Sequence, residues 1–572
     1  MDITYKKIDN SQLFENFKNP LLLNFESCQN YIPLYNNFFK LSNTNYNNIN
    51  LNNQCTLNSI TSKLSENKYR GTIKLEDSTI IEKEVFFKFS PLLDPFKYLA
   101  GKYDNSDNQI FILPKLENNK CYEKVCDPNN SAYVDSFFTY LTSQLLNRKD
   151  FIHGLDFYGS FLGIKKEYHV DIGDDIDMLA DSDHFHENKQ LYKFINKEHE
   201  DIFNEQSRSN KKPIIFGEDL EDNSILNLED IENIDDVNIL NSDTLINDIS
   251  NSLCYENLNE NTTKYNTDSE DSDVSSRSSN TDNSENNSDC DDGTDSNNSD
   301  TESEETSSEE EAIMLSIDKF PVQIISLECC ENTFDYLLEN DLVNDEELTC
   351  IIIQILIMLT TYQKLFKLTH NDLHTNNIMF IKTEKRYLYY KFNDKHYKIP
   401  TFGKIFKIID FGRAIYKYKN ITICSDSFHK DGDAATQYNC DPYYNDKKPI
   451  VEPNMSFDLC RLGCSIYDFI SSQYEDFNNK TKMSQIHKII TDWCVDNNGR
   501  NILYKNNDEE RYPDFKLYKM IARKVHKHIP EKVLENKLFN KYIVSKREIK
   551  KGSKIINIDN ISLEQETTVD IQ

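Results

Sequence analysis

From Tyr69 onward the chain settles into a period of two. Tyr69-Arg-Gly-Thr-Ile-Lys-Leu75, a turn at Glu76-Asp77, and Glu84-Val-Phe-Phe-Lys-Phe89 are rich in β-branched and aromatic residues and predict a hairpin. The period then lengthens. Val134, Phe137, Phe138, Leu141, Leu145 and Leu146 fall on one stripe of a 3.6-residue repeat, so residues 131–147 are expected to form an amphipathic helix. Phe151–Val170, punctuated by Gly154, Gly159 and Gly163, reads as two further short strands. A strand is expected over Ile317–Glu328 and a short helix over Thr333–Leu338. A long helix follows over Glu346–Lys367, apolar on almost every face and therefore buried within a helical region. Glu510–His528 predicts a helix with Leu517, Met520, Ile521 and Val525 inward and a basic outer face. The first fifty residues are Asn-rich with scattered aromatics, and no period assigns an element there.

Composition adds a division. The chain has 572 residues, more than one hydrophobic core usually supports, so several folded units or one fold with a large insertion are expected. Its formal charge is -32, yet residues 201–310 alone hold 31 Asp and Glu against 5 Lys and Arg. The remainder is close to neutral, so the acidic balance says little about a nucleic-acid partner. Between Thr262 and Glu311 the residues are almost all Ser, Asp, Glu, Asn and Thr, too polar to offset the cost of ordering, and disorder is expected. Serines followed by acids, among them Ser269, Ser272, Ser303 and Ser308, suit an acidophilic kinase or autophosphorylation as well as they suit a solubilising loop. The start carries charges and polar groups where a secretory signal needs an apolar run, and the apolar stretch at Cys350–Leu359 is short of a membrane span, so neither is expected. Fourteen cysteines without CxxC pairs point to a reducing, cytoplasmic compartment rather than to disulfides or structural zinc.

The chemistry is concentrated after the long helix, in Leu368-Thr-His-Asn-Asp-Leu-His-Thr-Asn-Asn-Ile-Met-Phe380. Asp372, followed five residues later by Asn377, lets one loop offer a proton acceptor and a metal-binding oxygen to one cavity. About thirty residues on, the apolar strand Ile405–Ile409 delivers Asp410-Phe-Gly412. Asn377 and Asp410 are then two oxygen ligands facing each other across a site for a hard cation.

With these residues in place the chain resembles the protein kinase superfamily. His370–Asn377 is similar to the catalytic loop, Asp410-Phe-Gly412 to the magnesium-binding motif, and Phe457–Asp468 to the buried helix whose leading acid, here Asp458, holds the catalytic-loop backbone. The resemblance implies an α+β, bilobal protein-kinase-like fold, with a small antiparallel-sheet lobe, a larger helical lobe and a long disordered acidic insertion in the small lobe. The implied boundaries are an N-terminal extension (1–50), the first part of the small lobe (51–170), the insertion (171–315), the last small-lobe strand and hinge (316–331), the helical lobe (332–545) and a tail (546–572). It implies an ATP-dependent, Ser/Thr-directed enzyme using Mg, with a protein substrate and neither membrane nor nucleic acid as partner. Asp372 would be the catalytic residue, Asn377 and Asp410 the Mg ligands, and Lys88 the phosphate-binding lysine. Backbone groups of Glu328 and Cys330 would meet the adenine edge. The helix near 510–528, the catalytic loop and the Cys-Arg-Leu-Gly-Cys helix further resemble kinases of large nucleocytoplasmic DNA viruses, which implies the host cytoplasm or the virion.

The departures are specific. No GxGxxG precedes Lys88; Ser62–Gly71 stands there, a stiffer loop carrying Lys63 and Lys68. The helix that should supply a glutamate to Lys88 offers only the shorter Asp135. Asn371 replaces the usual arginine before the catalytic aspartate, which argues against switching by activation-loop phosphorylation. His374 stands where a lysine is usual, able to stabilise charge if protonated or to donate one hydrogen bond if neutral. Ala-Pro-Glu is missing, Val451-Glu-Pro453 being too close to Asp458, so the peptide platform is abbreviated or rebuilt. A pseudokinase scaffold and a small-molecule phosphotransferase stay open as alternatives.

Overall fold

The computed structural model describes residues 2–51, 53–103, 108–117, 120–173, 176–196, 312–471, 483–505 and 509–563. The architecture is α+β. The elements used below are α1 (Ser11–Lys18), β1 (Phe25–Gln29), β2 (Cys55–Lys63), β3 (Lys68–Leu75), β4 (Ile80–Pro91), α2 (Ser131–Lys149), β5 (Phe157–Asp171), β6 (Tyr192–Phe194) and β7 (Met314–Glu328). They continue with α3 (Phe334–Glu339), α4 (Asp345–Phe366), β8 (Ile378–Lys382), β9 (Tyr387–Phe392), β10 (Lys395–Pro400), β11 (Lys404–Ile408), β12 (Ile415–Tyr418) and β13 (Ile421–Cys424). Last come α5 (Phe457–Ser471), α6 (Gln485–Trp493), α7 (Lys516–Lys524), β14 (Ile543–Val544) and β15 (Ile555–Asn557).

A curled antiparallel sheet takes the order β1-β5-β7-β4-β3-β2, with β6 paired to β7 as its seventh strand. The predicted Tyr69–Phe89 hairpin is β3–β4, and the strand predicted at Ile317–Glu328 is β7, which pairs Lys88 with Ile325. The two short strands expected over Phe151–Val170 are one long strand, β5. Gly163 does not turn the chain there: a Cβ on it would lie 2.6 Å from a ring carbon of Phe25, so the glycine admits the close approach of β1.

Helix α2 starts where the Asn130 side chain accepts from Ala132 N at 3.1 Å, and ends at Asp150 in the left-handed region. It is not amphipathic as expected, because every residue from Ala132 to Leu145 is buried. The cause lies in the periodless first fifty residues, which fold onto it and onto the sheet. Phe38 stacks on Phe137 at 4.7 Å, and Phe17 of α1 packs edge-on against Phe87 and Phe161.

Helix α4 is capped by Asn344, which accepts from Glu346 N and Glu347 N, and three acids in its first turn suit the positive end of the helix dipole. At 22 residues it is long and apolar enough to cross a membrane, longer than the Cys350–Leu359 stretch suggests, because Thr349, Gln354, Thr360 and Thr361 interrupt the run without lowering its mean hydropathy enough. Within the fold 89% of that apolar window is buried, as expected for a central packing helix. The predicted C-terminal helix is shorter, Lys516–Lys524, with Ile521 buried, Val525 buried just beyond its end, and Leu517 and Met520 only half-buried.

Two features change the expected boundaries. Within the 171–315 stretch, residues 176–196 carry two short helices and β6 on the edge of the sheet, whereas the expected disorder over Thr262–Glu311 and its serines lies outside the described residues. The expected tail is tied down: β14 and β15 flank the β9–β10 hairpin in a second sheet of four strands. Cys121 and Cys126 form a disulfide, where the sequence reading expects reduced thiols, and the other described cysteines are free.

Candidate functional site

The site is built by two ladders meeting the first sheet. Ile378 of β8 pairs with Ile408 of β11, and Ile409 N donates to Asn377 O at 3.0 Å. Asn377, just before β8, and Asp410, just after β11, therefore come together at the same end of one ladder. Asp410 takes a positive φ of 59°, which turns its carboxylate away from the strand direction, and Oδ1 reaches Lys88 Nζ at 2.9 Å.

Lys88 is 4% exposed and is held by a second acid, with Nζ 2.9 Å from Asp135 Oδ2. Asp135 Oδ1 accepts from Phe411 N at 2.7 Å, so one short side chain binds both the strand lysine and the Asp-Phe-Gly backbone. A buried lysine is tolerable only with partners of opposite charge, and Asp135 and Asp410 supply them. The helix stays close enough because Phe138, one turn on, meets Phe411 at 4.5 Å and Tyr416 at 4.8 Å, while Tyr416 donates to Val134 O at 2.9 Å.

Asp458 opens α5 fully buried, accepting from His370 N at 3.0 Å and from Asn371 N at 2.9 Å. Asn371 sits at φ 68°, a conformation asparagine accepts more readily than most residues. Its amide donates to Arg413 O at 2.8 Å and accepts from Tyr438 OH at 2.7 Å, so neutral hydrogen bonds tie the loop to the segment after Asp410.

Asp372 follows with its side chain nearly buried. Tyr518 OH donates to Oδ1 at 2.7 Å, and Arg413 stands 3.5 Å from Oδ2. Burial would raise this carboxyl, but Arg413, His374, Arg461 and the phenol outweigh it and hold the group well below the usual carboxylate range. His374 moves the other way. Burial pushes its imidazole down to about 4 against the pull of Asp372 and Asp410, so the ring is neutral near pH 7, and its Nε2 accepts from Asn377 Nδ2 at 3.0 Å.

Asn377 Nδ2 also donates to Asp372 O at 2.9 Å, which leaves the amide oxygen as the end able to take a cation. Among the described residues no group of three or more His, Cys, Asp or Glu side chains is arranged to hold a metal ion. A carboxylate and a carboxamide fit a small hard ion that takes its other oxygens from phosphate and water.

The remaining expected contacts lie at the end of β7. Glu328 N donates to Asp156 O at 3.0 Å, and the Glu328 side chain accepts from Asp156 N and from buried Lys407, so it faces away from Lys88 toward β11. The Cys330 main chain makes no hydrogen bond among the described residues, and burial raises its thiol well above the ordinary value. The Ser62–Gly71 stretch is the end of β2, a tight turn and the start of β3, with Leu64 N and Ser65 N both donating to Lys68 O and Lys63 paired with Glu66 at 2.6 Å.

Sequence reasoning missed Arg413, Arg461 and Tyr518. Arg413 directly follows the Asp-Phe-Gly motif and Arg461 lies inside a helix already singled out, so both were within reach. Tyr518 is 146 positions from Asp372, and no local pattern marks it. A scan against protein-family models and a search of curated proteins both find no match for the chain.

Proposed function

We propose that this chain is a protein kinase, Ser/Thr-directed, which transfers the γ-phosphoryl of Mg-ATP to a protein hydroxyl in a cleft between a sheet lobe and a helical lobe. The observation that carries the reading is the position of Lys88, 2.9 Å from both Asp135 and Asp410, where Asn377 joins them at the end of the β8–β11 ladder. A lysine held there by two acids is placed to bind phosphate oxygens, and the acids prevent it from being an unpaired buried charge.

In this reading the open main chain of Cys330 meets the adenine edge, together with what Glu328 leaves unpaired. Asp410 and Asn377 would hold Mg, which when bound neutralises phosphate charge. Asp372 orients the acceptor hydroxyl: its oxygen bonds to the γ-phosphorus as the bond to the β-phosphate oxygen breaks, and the proton leaves toward the carboxylate. His374, neutral, keeps the Asn377 amide turned so that its oxygen faces the cleft. Asp458 fixes the loop by its backbone, and catalysis then rests on positioning and charge rather than on covalent chemistry.

Label transfer from γ-radiolabelled ATP to casein tests the reading. Asp410→Asn, which is nearly isosteric, is expected to lose at least about a hundredfold of the wild-type rate while keeping its melting temperature within a few degrees. An Asp410→Asn protein as fast as wild type contradicts the assignment.

A further inference from the structure

The Asp372 carboxylate is held from one side by groups that neither bind phosphate nor lie in its own loop. Tyr518, on α7, is 2% exposed, and its ring stacks on Phe515 at 5.3 Å. Its oxygen accepts from Arg461 Nε of α5 at 2.8 Å and its hydrogen goes to Asp372 Oδ1 at 2.7 Å. The order is enforced by chemistry. A guanidinium can only donate, so Arg461 takes a lone pair of the phenol and the single phenol hydrogen is left for the carboxylate. Arg413 stands near Oδ2 at 3.5 Å, beyond a normal hydrogen bond, and its Nε and Nη2 are already on Asp433 at 3.0 and 2.8 Å. One oxygen of Asp372 is thus fixed, while the other has an adjacent positive charge 3.5 Å away.

We propose that Tyr518, oriented by Arg461, is a positioning residue that fixes Asp372 Oδ1 and so presents Oδ2 to the acceptor hydroxyl. The inference rests on the kinase reading and extends it to α7, which lies outside the His370–Asn377, Asp410–Gly412 and Phe457–Asp468 motifs. The carboxylate thereby gains rigid neighbours from α7 and, through the phenol, from the Arg461 side chain.

The test is Tyr518→Phe in the full chain, which keeps the ring packing and removes only the hydroxyl. Losing a hydrogen bond to a charged group is expected to lower kcat for casein phosphorylation by about ten- to a hundredfold. The KM for ATP should stay within about twofold, because the nucleotide is held elsewhere. Slow hydrolysis of ATP by water, which needs no protein hydroxyl aligned, should fall less than transfer to casein; a merely structural defect would lower both together. Arg461→Met, which keeps the packing of the stem, is expected to move the same ratio in the same direction by a smaller factor. If wild type transfers label and Tyr518→Phe has unchanged kcat, the positioning role is overturned and the kinase reading stands. A faster Tyr518→Phe enzyme also overturns it, since the phenol would then be a plug in the acceptor's place. Wild type that transfers nothing overturns the kinase reading and this role with it.

Discussion

Asp135 uses both of its oxygens, one on Lys88 and one on Phe411 N, and it is 3% exposed. The resemblance offers this aspartate as a shorter candidate in place of a glutamate, one that requires the helix to sit closer. Helix α2 does sit close enough for the short side chain to reach both partners. Asp135→Glu is therefore expected to fail as a restoration: an added methylene in a filled site costs about 1–3 kcal/mol and displaces Phe411, lowering label transfer rather than raising it. Melting curves and the transfer assay on that variant check both parts.

His153 illustrates the opposite case, a titratable residue with no catalytic part. Its Nδ1 donates to Phe406 O at 2.8 Å, its Nε2 accepts from Tyr390 OH at 2.7 Å, and burial lowers its imidazole to about 4. The unfolded chain takes up this proton near pH 6.5, well before the folded one. Its contribution to stability is therefore complete above about pH 6.5 and is lost at about 1.4 kcal/mol per pH unit down to about pH 4. Urea unfolding of wild type and His153→Gln is expected to give a stability difference that narrows between pH 7 and pH 5. A constant difference would contradict the assignment of a neutral buried ring.

At the level of elements, α5 matters through its first turn. Asp458 accepts from two buried backbone N–H groups of the His370–Asn377 loop, those of His370 and Asn371. Asp458→Ala leaves both unpaired, an expected cost of about 2–5 kcal/mol measured by urea unfolding, with transfer lost even in the molecules that stay folded. The legibility of elements followed the range of the forces that make them. The β3–β4 hairpin, β7 and α4 were readable because a local period and nearby turn or cap residues specify them. The β9–β10 hairpin was overlooked although Asn393-Asp394, both at positive φ, form the kind of tight turn that joins alternating strands. Helix α1 and the burial of the second face of α2 could not be read at all, since they depend on Phe17 and Phe38 finding partners 70 and 99 positions away. The candidate site divides the same way: Asp372, Asn377 and Asp410 lie in compact motifs, whereas Tyr518 reaches the site only through tertiary packing.

At the scale of the whole molecule, the larger of two apolar cores among the described residues runs from Phe17 through Phe87, Phe138, Phe411 and Trp493 to Ile556 and Ile561, and a smaller one gathers Phe457, Phe515 and Tyr518. The sheet and the helical part are therefore packed together rather than merely tethered, and both chain ends contribute. Residues 543–563 add β14 and β15 to the second sheet, bury Ile556, Ile558 and Ile561, and receive Lys364 Nζ on the carbonyls of Ile558 and Asp559. Truncation after Tyr542 is expected to remove at least about 4 kcal/mol of stability, from three apolar side chains alone, and to appear as a lower urea midpoint. An unchanged midpoint would mean that the tail is dispensable to the core.

The central claim is that Asp372, Asn377 and Asp410 converge with Lys88 on a nucleotide and an acceptor hydroxyl. Its most direct measurement is label transfer from γ-radiolabelled ATP to casein by purified wild type beside Asp372→Ala. The expected result is Mg-dependent transfer by wild type and a loss of at least about a hundredfold in the variant, assayed at a temperature where its melting curve shows it folded. Equal rates in the two proteins, or no transfer by wild type, would contradict it.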